Sequence, residues 1–482
     1  MFKDNIISEF DGKNILILGF GKEGKTTYDF LKSNNVNCKI SIADKNKDID
    51  SLCNVEMYLG ENYIDSIYKN WDIIIKSPGI SFKEIDLSKV TATLTSQTEL
   101  LLKYGKNKII GITGTKGKST TSTLLYNILN KKYSVKLIGN IGVPPFLAID
   151  NWEDTDYFVY EMSCHQLEKI KYSPKISVFL NIFEEHLDHY ESYEQYIDAK
   201  RNIFKHQTSD DIFLFNDFFA GKIIGNNELN QTSIALISPE LYCIYENNAE
   251  VRESVSYDLK NFVLINNSTI YIELENYKNK QIILPSDIKN IRGIHNYYNA
   301  MVAIAISYIL GVSDKDIISA LKEFTGLSHR LQYIGTYNGV DYVDDSISTI
   351  PEATINGITS INNVQSVLIG GMDRGIDYSA LCSYLENLNI KNIIFMYDTG
   401  KQIYDKISKK TDINNTVYVE NLEEAVKYAV LNTTKGGTCL LSPAAASYGY
   451  FKNFEDRGDK FKEYVIKYTK WNTFVIILWL FL

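Results

Sequence analysis

Residues 111–120 read Gly-Ile-Thr-Gly-Thr-Lys-Gly-Lys-Ser-Thr. They follow the apolar pair Ile109-Ile110 and lead into Thr121-Ser122-Thr123-Leu124-Leu125, which has a helical pattern. A buried strand, a glycine turn and a helix start in that order aim backbone N–H groups and the positive end of a helix dipole at an anion. Lys118 adds a point charge, and Ser119 or Thr120 would hold Mg2+. The loop departs from the usual Gly-x-x-x-x-Gly-Lys-Ser, because Ile112 stands where the first glycine belongs and glycines stand at 111 and 114 instead. A turn with only a structural task needs no Lys-Ser-Thr, so Gly114, Thr115, Lys116, Gly117, Lys118, Ser119 and Thr120 read as a phosphate cradle.

Other polar residues follow apolar runs. Asn140 comes after Val135-Lys136-Leu137-Ile138, Glu161 closes Tyr157-Phe158-Val159-Tyr160, and His186 trails Ile176-Ser177-Val178-Phe179-Leu180. Strands alternating with helices imply a parallel sheet with helices on both faces, whose polar strand ends meet at one edge. Glu161 and His186 then face the same phosphates and a metal; singly, each would read as a solvated loop group. Lys200 lies on a helical pattern from Tyr193 to Phe204, where a surface lysine is the default. The text from 213 to 284 is polar and strand-like, with no chemistry of its own. The stretch around Asn296 and Asn299 opens an apolar helix; its amides would grip a base edge, though N-capping alone explains Asn296.

The first hundred residues carry a second glycine turn. Asn14-Ile15-Leu16-Ile17-Leu18 runs into Gly19-Phe20-Gly21-Lys22-Glu23-Gly24, and a following strand ends at Asp44, where a dinucleotide fold places its ribose-binding acid. Alone, this would suggest NAD. A third strand, 71–76, ends in Ser77-Pro78-Gly79. At the other end of the chain, apolar runs stop at Asp344-Asp345-Ser346, at Gly370-Gly371-Met372-Asp373-Arg374-Gly375 and at Ser442-Pro443-Ala444-Ala445-Ala446-Ser447, a further doubly wound pattern. The expected fold is α/β in three domains: a Rossmann-like domain over 1–106, a central P-loop ATPase-type parallel-sheet domain over 107–326, and a second Rossmann-like domain over 327–470.

Composition sets outer bounds. A chain of 482 residues exceeds one core, which matches several domains of ~100–200 residues each. The formal net charge of -9 argues against a nucleic-acid-binding surface, while a local nest of N–H groups still admits small anions. The six cysteines contain no Cys-x-x-Cys pair, so neither a zinc site nor a disulfide framework is indicated, and a reducing cytoplasm fits. Residues 474–482 are all apolar, but the run falls short of the ~20 residues that span a bilayer, so no integral membrane span is expected. The tail over 471–482 reads as a last strand or an appendage, with a peripheral membrane contact as the sharper alternative.

A Rossmann-like domain, a phosphate-loop domain and another Rossmann-like domain, in that order, suit neither a dehydrogenase nor a GTPase. The chain resembles the Mur ligases, ATP-dependent amide-forming enzymes of bacterial cell-wall synthesis. Their loop is Thr-Gly-Thr-x-Gly-Lys-Ser/Thr, which 113–119 matches, so the misplaced glycine becomes a family mark. Further matches are Asp345-Ser346-Ile347-Ser348-Thr349, the 370–375 glycine segment, and Leu441 to Ser447 followed by Phe451-Lys452-Asn453-Phe454-Glu455-Asp456-Arg457-Gly458. Within the family the D-glutamate-adding members are the most similar.

The resemblance implies roles residue by residue. Gly21, Lys22, Glu23, Gly24, Asp44, Ser77 and Gly79 would hold the UDP end of UDP-N-acetylmuramoyl-L-alanine instead of NAD. Lys118 and Ser119 would hold ATP and Mg2+, with Glu161 and His186 in the metal site, Asn140 near the reacting groups, and Asn299, Arg330 and Asp345 on the nucleotide. Lys200 matches a lysine that the family carries as a carbamate, which requires a lowered pKa because the neutral amine attacks CO2. Thr349, Arg374, Ser447, Tyr448 and Phe454 match the D-glutamate pocket. Ile347 stands where some relatives have lysine, and Cys164-His165 replace the commoner Ser-Phe.

The implied reaction phosphorylates the alanine carboxylate with ATP and lets the D-glutamate amine attack the acyl phosphate, with His186 as base or as metal ligand. The enzyme would work as a cytoplasmic monomer. The rivals are another Mur-type or folylpolyglutamate-type ligase, a nucleotide-binding regulator or an NAD oxidoreductase. A lysine- or diaminopimelate-adding enzyme would be expected to show Asp-Asn-Pro-Arg, and no proline here follows Asp-Asn.

Overall fold

Short apolar runs flanked by glycine turns become strands buried on both faces, the signature of parallel sheets covered by helices. The computed structural model describes residues 2–53, 55–186, 189–247, 260–266, 269–275, 279–284, 288, 291, 294–407 and 416–481. Among these residues the strands form three sheets, and the chain divides into two compact units, 1–288 with 294–323, and 289–293 with 324–482.

The first unit holds two sheets. One comprises β1 (Asn14–Leu18), β2 (Lys39–Asp44), β3 (Glu56–Leu59), β4 (Ile73–Lys76) and β5 (Thr93–Thr95), all parallel, in the order β3-β2-β1-β4-β5. Chain direction across the sheet reverses between β1 and β4, so the glycine turn after β1 lies beside the Ser77-Pro78-Gly79 turn after β4. Ser77 Oγ donates to Gly19 O at 2.8 Å across that switch point.

The central sheet contains β6 (Ile109–Thr113), β7 (Val135–Gly139), β8 (Tyr157–Glu161), β9 (Ile176–Phe179), β10 (Ile212–Asn216), β11 (Thr232–Ile237), β12 (Phe262–Asn266), β13 (Thr269–Glu273) and β14 (Lys280–Ile283). Its order is β14-β13-β12-β11-β10-β9-β6-β8-β7, parallel except for the β12-β13-β14 meander. β6 therefore sits between β9 and β8, which brings the phosphate loop between the strand ends that carry Asn181 and Glu161. The two sheets of this unit share one apolar core, from Phe2 and Ile17 to Phe158 and Phe204. The domain boundary expected between 106 and 107 falls just after the helix Gln97–Gly105, where the Gly105 backbone packs against Phe2 and Trp152.

The second unit carries β15 (Gln332–Tyr337), β16 (Val340–Asp344), β17 (Val364–Ile369), β18 (Asn392–Met396), β19 (Thr416–Val419) and β20 (Thr438–Leu441), in the order β15-β16-β20-β17-β18-β19. All pairs are parallel except β15-β16. The turns after β16, β20 and β17 are therefore neighbours at one edge. The apolar tail is not a strand: the final helix runs from Phe454 to Phe481, carrying the backbone of the tail forward in one continuous helix.

Candidate active site

The loop after β6 is held by its neighbours before any ligand arrives. Gly117 has φ +83°, a backbone that favours glycine, and a Cβ there would lie 2.5 Å from Asn299 Oδ1. Asn181, just past β9, grips Lys116 twice: its Oδ1 accepts from Lys116 N at 2.8 Å and its Nδ2 donates to Lys116 O at 2.9 Å. Thr115 N donates to Asn181 O at 3.0 Å, and the Thr115 hydroxyl bonds Tyr196 OH at 3.0 Å. Lys118 opens the helix Lys118–Leu129, and its Nζ donates to Gly114 O at 2.9 Å and Thr115 O at 3.0 Å. Ser119 and Thr120 sit in the first turn, half-buried.

Lys200 is not a surface lysine. The helix Tyr193–Lys205 starts at Ser192, whose hydroxyl accepts from Gln195 N, and its buried face includes Tyr196, Ile197, Ala199, Lys200 and Phe204. The Lys200 side chain is 1% exposed, and its Nζ donates to Gly114 O at 2.9 Å. Burial, followed by the Lys118 ammonium, lowers its pKa to about 7. Burial also holds Lys118 below the usual lysine range, partly offset by Glu161 and Glu185.

Glu161, at the end of β8, is 1% exposed. Its Oε1 accepts from Asn140 Nδ2 at 3.0 Å, and Asn140 N donates to Glu161 O at 3.0 Å, so the two residues expected near the chemistry meet directly. Among the described residues, the buried Glu161 Oε2 has no hydrogen-bond partner. An orphaned carboxylate oxygen next to a phosphate loop is a hard donor of the kind Mg2+ takes, and the Ser119 hydroxyl is another. Among the described residues no group of three His, Cys, Asp or Glu side chains is arranged to hold a metal ion by itself.

His186 has φ +60° and stands in a ring cluster with His165, 4.9 Å between centroids, and Tyr196, 5.9 Å. His165 also meets His189 at 4.2 Å. Burial, then the neighbouring histidines, lowers the His165 pKa to about 3, so it serves as a neutral aromatic packing piece. The sequence reading gave no role to His165, Asn181 or Tyr196. Tyr196 was findable, since it lies one helical turn before Lys200 and shares its face.

Asn299 lies inside the helix Ile294–Ile309; its Oδ1 accepts from Thr121 Oγ1 at 3.2 Å and its Nδ2 donates to Asn296 Oδ1 at 3.2 Å. Asn296 is therefore in the first turn of that helix rather than at its N-cap. In the first sheet Gly21, Lys22 and Gly79 are exposed, and Gly24 is buried. Asp44 takes two backbone N–H groups, Phe20 N at 2.6 Å and Asn46 N at 2.7 Å, and so braces the glycine turn. Glu23 Oε1 accepts from Gln166 Nε2 at 3.0 Å, and burial pushes its carboxyl up to about 7. Lys76 Nζ donates to Ile80 O at 2.6 Å, and burial lowers its pKa to about 8. A cavity of about 350 Å3 runs from Lys76 and Pro78 to His165 and Gln166.

The second unit gathers the remaining residues. Asp345 is buried; its Oδ2 accepts from Ser348 Oγ at 2.6 Å and Ser442 Oγ at 2.8 Å, and burial raises its pKa to about 6. Arg330 is exposed, and its charge acts on Asp345. Arg374 is exposed and donates from Nη2 to Thr349 O at 3.0 Å. Ser447 is buried, Tyr448 is 60% exposed, and Phe454 packs edge-on to His329 with centroids 6.2 Å apart.

Known proteins share this layout. The Mur ligase middle domain matches residues 112–307, and the Mur ligase, glutamate ligase domain matches residues 329–445. The UDP-N-acetylmuramoylalanine--D-glutamate ligase of Bacillus cereus (strain AH187) is 30% identical over 477 residues, covering 96% of this chain and 99% of its own. The enzyme of the same name from Ligilactobacillus salivarius (strain UCC118) is 31% identical, covering 96% and 98%. Among solved structures, MurF ligase from Thermotoga maritima in complex with ADP superposes with a TM-score of 0.52 at 16% identity, covering 97% of each chain. MurF from Acinetobacter baumannii does so at 0.54 and 15%, covering 96% of this chain and 91% of its own. At such low identity the two structures speak to the fold alone.

Proposed function

Because this chain belongs to the Mur ligase family, we propose that it adds D-glutamate to UDP-N-acetylmuramoyl-L-alanine, consuming ATP and giving ADP and phosphate. The observation that carries the reading is the meeting of Lys118 and Lys200 on Gly114 O, inside a sheet edge that also presents the orphaned Glu161 oxygen. The full-length relatives that bear the D-glutamate ligase name support the choice of amino acid.

A carboxylate is a poor electrophile, so ATP supplies the leaving group. The alanine carboxylate takes the γ-phosphoryl to form an acyl phosphate, and the D-glutamate amine displaces phosphate from its carbonyl. The chain's task is to position the reactants and neutralise charge. Lys118 and the N–H groups of residues 114–120 receive the phosphates, and Asn299 and Thr121 brace the glycine turn below them. Mg2+ when bound would neutralise phosphate charge, held by Glu161, Ser119 and a carbamate on Lys200. His186 remains the candidate base for the incoming ammonium, or a further metal ligand. Gly21 to Gly24, Asp44, Ser77 and Gly79 serve the UDP end of the precursor in domain 1–106. Arg330 and Asp345 serve the nucleotide, and Thr349, Arg374, Ser447, Tyr448 and Phe454 serve D-glutamate, from domain 327–470. We read the enzyme as a cytoplasmic monomer. Among the described residues no helix is long and apolar enough to cross a membrane.

The test is phosphate release from ATP with the UDP-precursor and a panel of amino acids. Release that depends on D-glutamate supports the reading. Release that is equal with no amino acid present would sink it.

A further inference from the structure

Among the largest fully buried side chains of the described residues is a cation outside every role assigned so far. Arg457, in the first turns of the helix Phe454–Phe481, is 0% exposed. Its guanidinium spends three N–H groups on two separate turns. Nε donates to Ser346 Oγ at 3.0 Å, Nη2 to Ser346 O at 2.7 Å, and Nη1 to Ala445 O at 2.9 Å. Burying a guanidinium is costly unless its donors are paired, and the side chain is retained here with its fork bridging the turn after β16 and the turn after β20.

Those two turns carry the candidate site residues of this unit. Ser346 follows Asp345 and precedes Thr349 in the same turn, and Ala445 lies two residues before Ser447. The third turn, after β17, joins them: Met372 N donates to Ala446 O at 2.9 Å, and a Cβ on Gly371 would lie 3.1 Å from Arg457 Nη1. Arg374, on that third turn, reaches back to Thr349 O.

A second buried pair meets the same frame. His329 Nδ1 bonds Asp344 Oδ2 at 2.7 Å, and Asp344 Oδ1 accepts from Ser346 N at 2.9 Å. Ile347 N donates to His329 O at 3.0 Å. Gly458 allows the helix to approach this pair, because a Cβ there would fall 2.1 Å from His329 Nδ1 and 2.4 Å from Asp344 Oδ2. The Arg-Gly dipeptide thus works as a unit: the arginine enters the turns, and the glycine admits the helix. Three residues around it, His329 (φ +61°), Leu331 (φ +43°) and Ala444 (φ +56°), hold a left-handed backbone without being glycine. Such conformations persist where surrounding contacts over-determine them, and they concentrate at functional sites.

We propose that Arg457 is a positioning residue that locks the turn after β16, through Ser346, to the turn after β20, through Ala445, so that Asp345 on the nucleotide side and Ser447 on the amino-acid side are held in one fixed frame. The proposal rests on the functional reading above and deepens it. A lysine cannot reproduce it, since a single ammonium lacks the planar fork that reaches both turns.

The experiment compares wild type, Arg457→Lys and Ser346→Ala as full chains, measuring thermal midpoint, kcat, and KM for ATP, D-glutamate and the UDP-precursor. Arg457→Lys, assayed well below its midpoint, is expected to raise KM for both ATP and D-glutamate about tenfold. KM for the precursor should stay within about twofold, because its contacts are assigned to other residues. Ser346→Ala, which removes one of the three acceptors, should shift the same two constants in the same direction by less. A folded Arg457→Lys enzyme with unchanged constants overturns the proposal, as does a uniform fall in kcat with every KM preserved, which would mark a merely structural role. Should Arg457→Lys fail to fold, Ser346→Ala decides: unchanged ATP and D-glutamate constants overturn it. A wild type without D-glutamate-dependent phosphate release sinks the functional reading itself, and the proposal with it. An active wild type with an unaltered variant sinks the proposal alone.

Discussion

Lys118 and Lys200 donate to the same carbonyl oxygen, Gly114 O, each at 2.9 Å, although they lie 82 residues apart (200 minus 118) on different helices. Burial first, and then repulsion by the Lys118 ammonium on the same acceptor, brings the pKa of Lys200 to about 7; burial lowers that of the half-buried Lys118 as well. At neutral pH a large share of Lys200 is then the neutral amine, the form that adds CO2 to give a carbamate and a proton.

Lys200→Ala should abolish D-glutamate-dependent phosphate release, and added short carboxylates such as acetate should restore part of it by replacing the missing oxygen ligand. Steady-state phosphate assays with and without acetate check this. Unaffected activity in the variant would refute the role.

The same lysine makes stability depend on pH. Its folded pKa of about 7 lies below the ordinary ~10.4, so the unfolded chain binds the extra proton between those values and the folded state is penalised. The penalty is fully present below about pH 7 and fades as pH rises toward 10.4. Urea unfolding of Lys200→Met should therefore show a gain over wild type of a few kcal/mol near pH 7, shrinking by pH 10. A gain independent of pH would exclude the ionisation as its source.

Glu23 should show the opposite trend. Burial raises its carboxyl to about 7, so its contribution is full below the ordinary ~4.3 and is lost as pH climbs through 7. Glu23→Gln keeps an oxygen for Gln166 Nε2 and removes the charge. The stability of the variant relative to wild type should increase from pH 4.5 to 7.5, measured by thermal midpoints across that range.

Arg374 is exposed and anchored by one hydrogen bond to Thr349 O, which leaves guanidinium donors to meet a carboxylate. Arg374→Ala is expected to raise KM for D-glutamate by tenfold or more, on the order of the cost of losing a charge-assisted pair, with KM for ATP little changed. Arg374→Lys should recover part of the loss. Equal effects on both substrates would move Arg374 out of the amino-acid pocket.

Much of the site was legible because its signals are local. Glycine turns after apolar runs mark where strands end, and parallel sheets gather those ends at one edge; hence Lys118, Asn140 and Glu161 were expected together and stand together. Asp44 was legible as a position but not in what its carboxylate does, because both its bonds go to backbone N–H groups brought in by the turns around it. The tail's backbone is helical rather than a strand; an all-apolar run has no period to read, and helix propagation from 454 settled it.

By itself the sequence determined the α/β class, the order of the glycine turns and the phosphate loop, since each follows from a few adjacent residues and their backbone preferences. Tertiary structure alone decided which face of its helix Lys200 presents, that His165 packs as a neutral ring beside His186, and that Arg457 bridges the turns after β16 and β20. These depend on strand order, β9-β6-β8 in one sheet and β16-β20-β17 in the other, which juxtaposes residues that are distant along the chain. A side chain's burial, and with it its charge state, is set by those distant neighbours.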